Sequence, residues 1–84
     1  MYIIYRVTNN INRKCYIGYT TKSAEHRWKA YCRSTALTHF HNAIRKHGKQ
    51  NFTLETLCYG EDDKAGLSLA EPLLIAHFKP AYNH

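Results

Sequence analysis

The chain is poor in several things at once. Its 84 residues include six acids, four glycines, two prolines, one methionine and one tryptophan. No window approaches the roughly 20 consecutive apolar residues of a membrane span, and the start lacks the basic-then-apolar run of a secretory signal. Both absences point to a cytoplasmic protein with no membrane partner. The three cysteines, Cys15, Cys32 and Cys58, are widely spaced and form no C-x-x-C pair. That excludes a zinc ribbon or disulfide framework and leaves reduced, half-buried thiols. His39 and His41 form H-x-H, but on a helix start they splay apart, and no third ligand is spaced to join them. Backbone contacts or plain exposure are expected of them instead. No glycine-rich phosphate loop or Ser-His-Asp order is visible.

The scarcity of acids has a positive counterpart. Twelve Lys and Arg give a net charge of +6, and three of the six acids are spent together at Glu61-Asp62-Asp63. A surface this basic favours a polyanion, because neutralised phosphates release condensed counterions. Seven tyrosines and six histidines among the cations suit nucleic acid better than a membrane surface. The bland alternative is that the excess cations only keep the chain soluble. The length allows one domain, residues 1–84, burying about 60–65% of the surface its unfolded chain exposes.

The opening nineteen residues, MYIIYRVTNNINRKCYIGY, read as a β-hairpin over residues 2–8 and 14–19 with its turn at Asn9-Asn10-Ile11-Asn12. A symmetric register pairs Val7 with Lys14, Tyr5 with Tyr16 and Ile3 with Gly18. Side chains alternate faces along a strand, so both phenols share a face, and a slip by two residues keeps them together. Gly18 then leaves open space beside them. Both faces of the hairpin carry apolar residues, so the sheet needs cover on both sides.

Ser23 is a good N-cap for a helix running to about Cys32. Its stripe Ala24, Trp28, Tyr31 and Cys32 faces the sheet, and Arg27 and Tyr31, four apart, are surface neighbours. After a break at Arg33-Ser34-Thr35, a second helix opens at Thr38 and closes at Gly48 as a left-handed cap, with Phe40, Ala43, Ile44 and His47 inward. Phe52 to Tyr59 alternates as a third antiparallel strand, placing Phe52, Leu54, Thr56 and Cys58 on one face. Gly66 makes residues 60–67 poor helix material. Pro72 costs about 3 kcal/mol in a helix interior, so the last helix is expected to begin late, at Ser68. Lys79-Pro80 stops it, and residues 81–84 form an extended tail. The fold class is α/β (α+β): a small three-stranded antiparallel sheet flanked by about three helices.

Glu71 has two readings. Ser68-Leu69-Ala70-Glu71 fits a capping box, in which the glutamate satisfies the Ser68 backbone N–H. Alternatively, as the one acid after Lys64 in an apolar segment, it needs a cation, a hydrogen-bond network or water, because an unpaired buried carboxylate is costly.

Ile3-Ile4-Tyr5, an eleven-residue step, and Tyr16-Ile17-Gly18 together resemble the signature of the GIY-YIG nucleases. This family includes phage and intron-homing endonucleases, some restriction enzymes and the incision subunit of bacterial nucleotide excision repair. Ile3 stands where the family has glycine. Ala43-Ile44-Arg45-Lys46-His47-Gly48 before Asn51-Phe52 resembles the second-helix region of phage-type members. Ala70-Glu71, followed by Phe78-Lys79-Pro80-Ala81-Tyr82-Asn83, is similar to the end of the domain. The resemblance spans essentially the whole chain, with one extra residue between Gly18 and Arg27, in the loop 19–22.

The resemblance implies a GIY-YIG fold and a metal-dependent endonuclease. Glu71 would hold a single divalent cation, Mg²⁺ or Mn²⁺, with Tyr5, Tyr16, Arg27 and Tyr31 completing the catalytic set and Asn83 supporting it. Such a metal acts as the Lewis acid at the leaving oxygen. Arg27 would brace the phosphate through its planar fork, and Tyr5 would be the general base if cations drew its phenol toward phenolate. Lys22, Arg45, Lys46, Lys49 and Asn83 are the expected contacts to DNA, duplex or branched. With no room for a separate targeting domain, the target is expected to be found by surface loops, by self-association as a homodimer, or through a targeting protein. The competing expectation is a catalytically inactive nucleic-acid-binding module with the same fold.

Overall fold

β1 (Tyr2–Asn9) runs up the middle of a three-stranded antiparallel sheet, between β2 (Cys15–Thr20) and β3 (Phe52–Gly60). The computed structural model describes residues 1–34 and 38–83. The hairpin register differs by two from the symmetric expectation: Tyr5 faces Gly18, Val7 faces Tyr16 and Ile3 faces Thr20. The reason lies in the turn, which takes up Arg13 and Lys14. Arg13 adopts a left-handed φ of 65°, the Asn9 side chain accepts from the Ile11 N–H at 2.9 Å, and the Asn9 N–H donates to the Lys14 carbonyl at 2.8 Å. The shift keeps both phenols on one face.

The space beside Gly18 is not open. A Cβ there would lie 2.4 Å from Cζ and Oη of Tyr5 and 2.8 Å from Cε2 of Tyr16. The glycine is the floor on which the Tyr5 ring rests. On the other side of β1, pairing runs from Asn9–Phe52 to Tyr5–Thr56 and then skips to Ile4–Cys58. This irregularity at Leu57 moves Cys58 to the Ile4 face, so the expected Phe52–Leu54–Thr56–Cys58 alternation ends at Thr56.

The Tyr5 face is covered by α1 (Ala24–Arg33) and α2 (His39–His47). Both begin as local chemistry dictates. Ser23 Oγ accepts from the His26 N–H at 3.0 Å, and Thr38 Oγ1 accepts from the His41 N–H at 3.2 Å. The core joins Tyr5 and Val7 to Ala24, Phe40, Ala43, Ile44 and Tyr82, with Trp28, Tyr31 and Cys32 packed against it. Ser34 caps α1; Thr35, the last residue of the expected break, lies outside the described residues. Gly48 ends α2 with φ 83° and ψ 136°, which is positive in φ but not the left-handed helical conformation expected. A 3₁₀ turn, Lys49–Asn51, leads into β3.

The opposite face is covered by one long helical run that starts earlier than expected. Asp62 caps α3 (Asp63–Ala65), its carboxylate accepting from the N–H groups of Lys64 and Ala65. A π-turn, Gly66–Ala70, follows and passes into α4 (Glu71–Phe78). The π-turn is how the helix accommodates Pro72. The Glu71 N–H reaches back five residues to the Gly66 carbonyl, a widened turn that frees the backbone where a proline ring would otherwise clash. Gly66 is buried against the Tyr2 ring, which a Cβ would meet at 2.3 Å. The capping box is therefore absent: Ser68 sits inside the run and its Oγ donates to the Lys64 carbonyl at 2.6 Å.

Lys79, with φ 48°, ends α4. The tail is not extended but a 3₁₀ turn, Ala81–Asn83, with Tyr82 buried; His84 lies outside the described residues. Tyr82 Oη accepts from Asn9 Nδ2 at 3.0 Å, at the base of the hairpin turn. Among the described residues, no helix is long and apolar enough to cross a membrane.

Candidate active site

The phenols that share a face of the hairpin meet a third from α1. Tyr16 and Tyr31 hydroxyls are 2.6 Å apart, in hydrogen-bonding contact. The Tyr16 ring stacks on Phe40 at 4.4 Å between centroids, with the planes 7° apart, and Tyr31 meets Phe40 edge-on at 5.1 Å. Phe40 thus fixes both rings, and Tyr5 lies 6.4 Å from Tyr16. The Tyr5 ring is fully buried, and its hydroxyl has no hydrogen-bond partner among the described residues. Arg27 and Tyr31 are its polar neighbours, yet neither meets it in hydrogen-bonding geometry. Buried polar atoms are nearly always paired, and among the described residues the Tyr5 hydroxyl is the buried side-chain polar atom that is not.

Arg27 is exposed on the flank of α1, its guanidinium carbon 4.8 Å from the centre of the Tyr31 ring. It lines an open cleft with Tyr19, Thr20, Thr21, Lys22, His26 and Ala30. Glu71 opens α4, which packs beside β2. This brings its carboxylate within electrostatic reach of Tyr16. Glu71 is half-buried, and burial alone raises its pKa above the ordinary 4.5. It forms no hydrogen bond or ion pair among the described residues. Both properties suit a carboxylate that receives a hard cation. No group of three or more His, Cys, Asp or Glu gathers anywhere among the described residues. The donor set therefore fits a hydrated Mg²⁺-type ion, which takes one or two carboxylates plus water and phosphate oxygens, and not zinc.

The chain's own groups do not by themselves draw Tyr5 toward phenolate. The Tyr5 pKa is raised, not lowered: burial is the largest cause, Tyr31 adds to it, and Arg27 opposes both without winning. Tyr16 is raised by burial, then by the hydrogen bond and charge of Tyr31, and further by Tyr5 and Glu71. Without a metal, Tyr5 and Tyr16 are therefore held as neutral phenols, because removing water from a phenolate costs more than the neighbouring Arg27 returns.

The residues expected to contact DNA separate. Lys22 stands in the Arg27 cleft. Arg45 donates to Asn42 Oδ1 at 2.7 Å and to the Ser34 carbonyl at 3.3 Å. Lys46 is exposed. Lys49 lies in a different groove, with Trp28, Lys29, Cys32 and Arg33. Asn83 is occupied: its Oδ1 accepts from the Ile17 N–H at 2.8 Å and its Nδ2 donates to the Ile17 carbonyl at 2.7 Å. Both bonds fall on the outer edge of β2, between Tyr16 and Gly18, so the amide holds the strand that carries the phenol.

His41 was not legible as a neighbour of this cluster. It is buried, its ring 4.9 Å from Tyr31 and its Nδ1 against Thr38 Oγ1. Burial lowers its pKa, helped by Arg45 and Arg27. The signal available was its place three residues after the N-cap, where a side chain can turn back onto the cap.

No curated protein and no solved structure matches the chain. A family profile does, that of the GIY-YIG catalytic domain, over residues 1–83. With the antiparallel sheet, the phenols of its hairpin and the whole described length accounted for, the chain belongs to the GIY-YIG nuclease family.

Proposed function

We propose that this chain is an endonuclease that hydrolyses DNA phosphodiester bonds with the help of one divalent cation, Mg²⁺ or Mn²⁺, held by Glu71. The observation that carries the reading is the state of that carboxylate: half-buried, unpaired among the described residues, and on the helix that packs beside the strand carrying Tyr16. When bound, the metal supplies a Lewis acid for the leaving 3′-oxygen. The chain's own groups do the rest. Arg27, exposed and steadied against Tyr31, braces the non-bridging oxygens as charge builds on phosphorus. The bonded pair Tyr16 and Tyr31 orients the attacking water, whose proton passes to solvent as its oxygen bonds phosphorus and the bond to the 3′-oxygen breaks. Tyr5, buried against Gly18, holds the ring cluster in position behind them.

The test is nicking of supercoiled plasmid with Mg²⁺, with and without EDTA, by the protein and by its Glu71→Gln variant. Cleavage is expected to fall by at least ~10²-fold in the variant, with DNA binding largely retained. Mg²⁺ should also raise the melting temperature of the parent and not of the variant, since only a bound ion stabilises the fold. Full cleavage by the variant, or cleavage indifferent to EDTA, removes Glu71 from the mechanism. The complete burial of Tyr5 favours a second reading, a nucleic-acid-binding module without cleavage. DNA binding with no metal-dependent nicking would establish it.

A further inference from the structure

The cations of α1 lie on two sides of the helix. Arg27 and Lys29 project about 160° apart across the exposed side at ~100° per residue, with the exposed His26 and Arg33 on the crest between them. On the far side from Arg27, a groove of about 400 Å³ is lined by Trp28, Lys29, Cys32, Arg33 and Lys49. All three charged residues in it are positive. Trp28 gives it a fixed apolar wall, because the indole is packed against Phe40 at 6.2 Å and Phe52 at 5.7 Å. Lys49 reaches over from the turn after α2, near enough to act on the Cys32 thiol.

None of Lys29, Arg33 and Lys49 forms an ion pair among the described residues. The pairs there are Arg6–Glu55 and the N-terminus with Asp63. Glu25, one turn before Lys29, makes no bridge to it. Arg33 Nε donates to the Lys29 carbonyl at 3.4 Å, which keeps the two side by side on the helix. Three cations lining one groove without a counter-ion among the described residues favour a polyanion seated there.

We infer that this groove binds the sugar–phosphate backbone of the DNA substrate at a point removed from the scissile phosphate, so that the strand crosses the crest of α1. The inference rests on the nuclease reading above. Crossing an α-helix ~10–12 Å in diameter takes a few nucleotides at about 3.4 Å of rise each. The groove thus extends the Arg27 cleft into a track, and it supplies contacts that carry no base information.

Fluorescence anisotropy tests it, with the Glu71→Gln protein as the uncut parent and a fluorescein-labelled duplex titrated over a range of KCl. In that background, Lys29→Gln, Arg33→Gln and Lys49→Gln together should flatten the slope of log Kobs against log [salt] by about 2–3, at ~0.9 for each phosphate no longer neutralised. A control that removes the same charge elsewhere, Arg13→Gln, Lys14→Gln and Lys64→Gln, should change the slope by less than about 1. Circular dichroism melts establish that both triple variants are folded. In the Glu71 protein, the groove triple should raise KM and leave kcat within about twofold. An unchanged slope in the groove triple, or equal slopes in both triples, overturns the groove while leaving the nuclease reading intact. Absence of salt-dependent binding by the parent overturns both.

Discussion

The side of the sheet that carries Tyr5 and Val7 is packed with Ala24, Phe40, Ala43, Ile44 and Tyr82. The side that carries Ile4 and Ile17 buries those two isoleucines beneath a helix, α4, none of whose own residues is buried. Leu67, Leu69 and Leu73 of the long run are more than half exposed. The candidate site draws from both sides. Its phenols and Arg27 come from the dense side, where ring-on-ring packing fixes them, and its carboxylate comes from the thin side. Positioning and stability are thus tightly coupled for the tyrosines and loosely coupled for Glu71.

Substitutions can break or sharpen this contrast, and the largest effect is expected on the dense side. Phe40→Ala removes the ring on which Tyr16 stacks and Tyr31 abuts. It should cost about 3–5 kcal/mol in urea denaturation, a large share of the ~5–15 kcal/mol that holds a domain together. Gly18→Ala comes next. Its methyl would collide with a Tyr5 ring that has nowhere to go, and a loss of about 1–3 kcal/mol is expected. Cleavage should fall with it, because the clash displaces a site residue.

On the thin side the sign reverses. The Glu71 carboxyl titrates above its ordinary 4.5 because burial disfavours its charge. Between the unfolded and folded values the native state holds more protons, so this group's contribution is full at low pH and is lost as pH rises through that window. Glu71→Gln should therefore melt slightly higher than the parent at pH 7 without metal. The gap should close below the ordinary carboxylate value, as read by differential scanning calorimetry across pH. The smallest effect is expected of Leu73→Ser, within about 0.5 kcal/mol, since its side chain is 68% exposed. A drop in stability above about 2 kcal/mol there would mean that the roof is as firmly packed as the floor.

What could be read from sequence follows the range of the interactions involved. The N-caps Ser23 and Thr38 and the strand alternation up to Thr56 were legible because each depends on residues a few positions apart. The hairpin register was not, since it depends on the left-handed Arg13 and on the fit of the Tyr5 ring over Gly18. Pro72 misled because its helix-breaking tendency is local, and a π-turn upstream absorbs it. The direction of the Tyr5 pKa required knowing how completely α1 and α2 close over the phenol, which no spacing reveals.

The clasp between the β1–β2 hairpin and the turn Ala81–Asn83 carries a kinetic consequence. Asn9 meets Tyr82 across 73 positions, and Ile17 meets Asn83 across 66. Pairings this remote in sequence must overcome the full entropy of loop closure before they reward it, which slows folding. The opening ribbon emerges from the ribosome long before its clasp does. A nascent chain therefore cannot complete the outer edge of its phenol-bearing strand until synthesis has passed residue 83.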